Sequence, residues 1–249
     1  MSQPSVLDSQ DVSLDVRAEL EAVATVAGIP FPPNDGESDE LPLESDKHRD
    51  QIDLLIRLLK GWWRDRRDFY VAGNLTIFYS PNQRKSEFFR GPDFFVVLGV
   101  EQKDRRSWTV WHENGKYPNV IVELLSDSTA AVDRGFKKQL YQDTFRTPNY
   151  FWFDPHTLEF QGFHLVDGDY KDLVPTAEGW LWSHELGLYL GIHGEQLRFF
   201  TDDRQLVSLP EEAAQEQAER EQLRAEQEYQ RAEKLAAKLR ELGIDPTDI

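Results

Sequence analysis

Three acids and a lysine stand where a sheet and the helix after it would display them. Asp93 opens the apolar run of GPDFFVV, and Glu123 interrupts NVIVELL. VDRGFKKQLY then sets Asp133, Lys137 and Tyr141 four residues apart, roughly on one helical face. Two carboxylates from adjacent strands can hold a divalent cation such as Mg²⁺, which takes one or two carboxylates and completes its octahedron with water and phosphate oxygens. A cation so held lowers the pKa of a bound water and neutralises charge growing on a phosphodiester. A nearby lysine can orient that water or stabilise the pentavalent phosphate. Glu123 is the residue that most needs a reason. An ionised carboxylate taken out of water costs on the order of several kcal/mol unless it is paired or bound to a metal. It therefore sits at the rim of the sheet or meets a positive charge.

Each residue also has an ordinary structural role open to it. Asp93 in GPD could be a turn or strand-edge residue, Glu123 could pair with an Arg or Lys, and Lys137 and Lys138 could form a solvated helix face. The order of an acid, then apolar-acid-apolar, then a helix lysine is more specific than any single member. The remaining chemistry is sparse. The chain has no cysteine, which excludes disulfides, zinc–thiolate sites and a cysteine nucleophile. His48, His112, His156, His164, His184 and His193 share no ligand spacing. Ser126 and Ser128 lie near Asp127 and Asp133, but no histidine is positioned by sequence to activate them, so Ser126 to Thr129 is read as beginning or capping a helix. KGWWRDRRD could stack on and neutralise nucleic acid. The simpler reading puts the tryptophans over the end of the core and leaves the arginines in water.

The elements that must position these residues follow from periodicity. Apolar residues at Ile52, Leu55, Ile56, Leu59 and Trp62 or Trp63 recur at spacings of three and four, which predicts an amphipathic helix from Asp46. FYVAGNLTIFY (69–79) is strand-like, with an Asn marking a break or hairpin. DFFVVLGV (93–100) and NVIVELL (119–125) are the next strands. SDSTAAVDRGFKKQLYQDTF reads as a loop and a helix, with Phe136, Leu140 and Tyr141 on its apolar face, ended by TPNY. Further strands are expected at 150–154, 159–165, 169–174, 187–193 and 196–200, with DPHT and DGD as turns. This order indicates a mixed α/β or α+β domain around one sheet.

The flanks have another composition. Residues 1–45, with acidic, Pro- and Gly-containing stretches, read as a linker or loosely attached arm, in which Leu14, Leu20, Val23 and Val26 have the spacing open to a short amphipathic helix. Residues 211–243, rich in Glu, Ala, Gln and Arg, predict one long charged helix stopping at Gly243, either a weak coiled coil or docking helix or a solvated single helix. The net charge of −17 argues at first against a phosphate-binding protein. Its distribution weakens that argument: residues 51–210 hold 22 acidic and 19 basic side chains, so the excess lies mostly in the flanks. With no apolar leader and no membrane-length apolar stretch, the expectation is a soluble, cytoplasmic protein.

GPDFFVV, NVIVELLSDSTAAVDRGFKKQLY and TPNYFWFDP together resemble the Uma-two family of restriction endonucleases, within the PD-(D/E)XK nuclease superfamily. The residues carrying the resemblance are Pro92-Asp93, Glu123-Leu124-Leu125-Ser126, Asp133, Lys137, Tyr141, Tyr150, Trp152 and Asp154-Pro155, and the helix with His48 resembles the family's opening helix. The match covers roughly residues 44–200 and leaves both flanks unexplained, although a charged C-terminal helix is a familiar appendage in this family. It implies a restriction-endonuclease-like core over 46–205, a mixed central sheet flanked by helices, with Asp93 and Glu123 binding Mg²⁺ or Mn²⁺ and the backbone carbonyl of Leu124 joining them. The superfamily's usual lysine position falls on Leu125, which cannot substitute. The resemblance therefore makes Lys137 the catalytic lysine, with Lys138 its competitor about 100° around the helix. Asp133 and Tyr141 are accessory: Tyr141 could contact DNA, hold Lys137, or simply pack.

The function expected is a metal-dependent endonuclease acting on DNA. The alternative is a catalytically silent nuclease-fold protein acting as a binding or assembly module, including a homo-oligomer formed through the C-terminal helix. An RNA or branched-DNA substrate for the same site ranks third.

Overall fold

The spacing of three and four in HRDQIDLLIRLLKGW becomes helix α1 (Asp46–Trp62), capped by the Ser45 hydroxyl, which accepts the His48 backbone N–H at 3.2 Å. The computed structural model describes residues 45–126 and 130–241, with side chains described as far as 238. The acidic arm before Ser45, the expected helix at 14–26, Asp127–Thr129 of the expected cap and the stop at Gly243 lie outside the described residues. The described chain divides into two units, the first ending at Leu206 and the second starting at Val207.

In the first unit, β1 (Phe69–Ala72), β4 (Phe94–Leu98), β6 (Val120–Leu124), β7 (Asn149–Phe153), β8 (Phe160–Val166) and β9 (Asp169–Asp172) form a six-stranded sheet in the order β1-β4-β6-β7-β8-β9. Between β1 and β6 come three two-residue strands, β2 (Ile77–Phe78), β3 (Phe89–Arg90) and β5 (Trp108–Thr109), joined as a small sheet in the order β3-β2-β5. The break expected within 69–79 is present, at Asn74 with φ 49°. It is not a hairpin: β1 pairs with β4, and β2 pairs with β3 and β5. A third sheet contains β10 (Leu181–Ser183), β11 (Leu188–His193) and β12 (Gln196–Phe200). The β8–β9 turn is Asp167-Gly168, with φ 53° and 99°, the doubly left-handed backbone of a two-residue hairpin.

All neighbours in the large sheet are antiparallel except β6 and β7. A parallel pair needs a crossover, and residues 130–145 supply it as helix α2. This helix alternates α-turns (Ala130–Val132, Lys138–Leu140) with π-turns (Asp133–Lys137, Tyr141–Phe145) and ends on Arg146 at φ 55°. Side chains on a strand alternate between faces. The core on one face of the sheet unites Phe95, Val97, Ile121, Leu125, Tyr150, Trp152 and Phe163 with Leu140, Tyr141 and Phe145 of α2. Glu123 lies between Ile121 and Leu125 on that same face. On α1, Ile52, Leu54, Leu55, Leu58 and Leu59 are buried and Trp63 packs edge-on against Phe69 at 5.0 Å. Trp62 is 48% exposed, so only the second tryptophan closes the core, and Arg66 stacks over its outer ring face at 4.5 Å.

The second unit is dominated by helix α3 (Pro210–Glu241). Pro210 occupies its first turn, and Glu212 accepts the Leu209 backbone N–H at 2.8 Å, the carboxylate half of a capping box.

Candidate active site

Strand pairing brings the two acids together. Phe94 on β4 faces Val122 on β6, so Asp93 and Glu123 are the next opposed pair on these antiparallel strands. The Asp93 backbone N–H donates to Glu123 Oε2 at 3.3 Å, and the Leu124 backbone N–H donates to Asp93 Oδ2 at 2.7 Å. Leu124 thus reaches the site through its N–H. β6 ends here, and α2 then folds back over the acids, the usual placement of a site at the carboxyl end of a parallel strand.

Glu123 is not at the rim. It is 0% exposed, and α2 supplies the positive charge that meets it. Lys137 Nζ stands 3.5 Å from Glu123 Oε1 and 2.7 Å from Asp133 Oδ1. Tyr141 Oη donates to Glu123 Oε1 at 2.6 Å, and Tyr150 Oη donates to the Asp133 carbonyl at 2.9 Å. Residues 133, 137 and 141 therefore share one inward face, as their spacing predicts. Lys138 does not compete. Its ammonium lies 3.6 Å from the centroid of Phe163 and 5.7 Å from that of Trp152. Tyr141 is fully buried and holds Glu123 as well as packing, through a ring 5.2 Å from Phe145.

His48 was not expected among these residues, although it lies on the helix carrying the resemblance. Its Nε2 is 3.3 Å from Asp93 Oδ1, and both side chains are largely buried. The signal in the sequence is slight: one histidine in the first turn of an amphipathic helix, 45 residues before its partner.

The charges are unequally disposed. Burial pushes the Asp93 carboxyl up, but the hydrogen bond from His48, the Lys137 charge and the Leu124 N–H outweigh it and hold Asp93 below the ordinary range. Burial pushes Glu123 well above its ordinary value; Lys137 opposes this, while the negative charges of Asp93 and Asp133 add to it. For Lys137, burial pulls down, but Glu123, Asp133 and Asp93 together raise it above its normal value, so it stays an ammonium. Burial and the nearby Glu123 raise Tyr141 far above a free phenol, keeping it a donor. One cation among three acids leaves the site short of positive charge, and Glu123 is the acid that carries the deficit.

That deficit fits a divalent cation. The donors are hard carboxylate oxygens, each with lone-pair capacity beyond its present protein partner. Among the described residues no three His, Cys, Asp or Glu side chains are grouped to cage a metal ion unaided. The fit is therefore to an ion that keeps most of its ligands as water or phosphate, as Mg²⁺ does.

A mixed sheet with a helical crossover and flanking helices makes this a mixed α+β core. A family model described as "Uma2: Putative restriction endonuclease" matches residues 31–199, and the chain belongs to that family. Membership supports a nuclease. A solved structure of a "putative nuclease belonging to DUF820" from Anabaena variabilis is similar over 61% of this chain and 80% of that chain, with 10% identity and a TM-score of 0.45. No curated protein matches. No described helix is long and apolar enough to cross a membrane.

Proposed function

We propose that the chain is a metal-dependent endonuclease hydrolysing DNA phosphodiester bonds. The observation that carries this reading is the buried group Asp93–Glu123–Lys137: two acids on neighbouring strands, with an ammonium 3.5 Å from one of them. Asp93, Glu123 and the Leu124 carbonyl would hold Mg²⁺ or Mn²⁺. Such an ion, when bound, supplies an acidified water and neutralises charge developing on the phosphate. Lys137 stays protonated, so its role is to orient the attacking water and stabilise the pentavalent phosphate as a cation rather than to remove a proton. Asp133 orients that ammonium, and Tyr141 keeps Glu123 in its rotamer.

Purified protein with Mg²⁺ or Mn²⁺ should nick or cut DNA. Asp93→Ala and Glu123→Ala should each reduce the rate at least about 100-fold, the scale set by losing electrostatic stabilisation of a transition state. Equal cleavage by wild type and both variants would mean that the activity belongs to a contaminant. A second reading is a catalytically silent binding module. It draws on the protein partners that Glu123 Oε1 already has, the Lys137 ammonium at 3.5 Å and the Tyr141 hydroxyl at 2.6 Å. Calorimetry with Mn²⁺ separates the two, because only the enzyme requires binding that is lost in both variants.

A further inference from the structure

Asp93 is gripped from two sides. Leu124 N–H takes Oδ2 at 2.7 Å and His48 Nε2 approaches Oδ1 at 3.3 Å, so both carboxylate oxygens have a fixed donor and the plane of the group is set. The backbone beneath is equally constrained, because the Asn74 N–H donates to the carbonyls of Pro92 and Asp93 at 3.1 and 3.3 Å. His48 is held in turn. Its backbone N–H is bound at the N-cap of α1 by Ser45, and its side chain is buried in the first turn of that helix. On the other side of the acid pair, Glu123 is fixed by Tyr141 and Lys137. Without His48, Asp93 Oδ1 would lose an anchor that comes from outside the sheet and α2.

We infer that His48 is a positioning residue: its ring N–H fixes the Asp93 carboxylate in one orientation, so that the acid pair is organised before a divalent cation is bound. The inference rests on the two-carboxylate reading above. It adds a residue that contacts the acid rather than the substrate, reaching it from a helix 45 residues upstream. Removing an outer partner of a metal-binding group typically weakens metal affinity by roughly 10–100-fold.

The test is titration of Mn²⁺ alone into the full-length wild type and into Asp93→Ala, His48→Ala, His48→Gln and His48→Asn, with thermal unfolding of each in metal-free buffer. His48→Ala should bind Mn²⁺ about 10–100-fold more weakly. His48→Gln, whose amide N–H can span a similar distance, should return to within a few fold of wild type. His48→Asn, one methylene shorter, should bind as weakly as the alanine variant while keeping a polar group in place, which preserves the comparison should His48→Ala fail to fold. Binding lost in Asp93→Ala but intact in His48→Ala and His48→Asn overturns this inference alone. So does a glutamine variant as weak as the asparagine one. Absence of Mn²⁺ binding by the wild type overturns both this inference and the two-carboxylate reading.

Discussion

Glu123 carries opposite consequences for stability and for function. Its folded pKa lies well above its ordinary 4.5, raised first by burial and then by Asp93 and Asp133. Between the unfolded and folded values the native state holds a proton that the unfolded chain has released, so stability falls as pH rises through that window. Asp93 has the reverse sign: its folded pKa is depressed, so it contributes stability above about 3.8 that is lost as pH falls through the lower folded value. In metal-free buffer the wild type should therefore lose stability as pH rises above the ordinary glutamate value of 4.5 and through the raised folded one. Glu123→Gln keeps an acceptor for Tyr141, and its unfolding midpoint should change much less over the same range. Equal slopes for the two proteins in thermal melts would remove Glu123 as the titrating group. The need for a counter-charge was legible in the sequence, since an acid inside VIVEL has few physical excuses. Its source was legible only as a choice between a bound cation and an Arg or Lys. Lys137 is read from the sequence as the residue that assists the attacking water, and the structure also sets its ammonium 3.5 Å from Glu123. The contact from His48 was not legible, because sequence spacing carries no record of which helix end packs beside which strand.

At the scale of elements, a close approach keeps α1 beside the acids. A Cβ built on Gly73 would lie 2.3 Å from Ile52 Cγ2 and 2.9 Å from the Asp93 carbonyl oxygen, one atom on α1 and the other on the backbone carrying the acid. Gly73→Ala should push helix and strand apart, costing about 1–3 kcal/mol in urea unfolding and weakening Mn²⁺ binding along with it. An alanine variant as stable as wild type would show that Ile52 and the Asp93 backbone yield to the added methyl without cost. The two amide bonds of Gln51, to Leu197 O and N at 2.9 Å each, tie the same helix to the edge of β12 and explain why a polar residue is buried on α1. Long amphipathic and alternating segments were readable because burial on one face imposes a period. β3 and β5, at two residues each, and β10, at three, are too short to show one. The π-turns of α2 leave no mark either, since residues four apart still share a face when the helix widens. Such turns concentrate at functional sites, and here they carry both Lys137 and Tyr141.

At the scale of the whole molecule, the excess of negative charge lies mostly in the flanks of the sequence. Residues 211–249 hold 11 acidic and 6 basic side chains. The C-terminal helix stabilises itself locally, through side-chain bonds four residues apart such as Gln215–Glu219, Gln217–Glu221 and Glu216–Arg220. Its large exposed apolar residues, Leu223, Tyr229 and Leu235, are six residues apart in turn. At about 100° per residue that spacing puts them on three faces about 120° apart, which is not the single seam that a coiled coil needs. Deleting 214–249 should therefore leave the number of chains per particle unchanged in light scattering. It should also leave Mn²⁺ affinity within about a factor of two, because every residue named in the acid site precedes Asn149 or is Tyr150. A drop in particle size to fewer chains would instead make the last turns, where Leu235, Leu239 and Leu242 recur at spacings of four and three, an assembly element. A loss of metal binding in the deletion would show that the charged helix acts on the site.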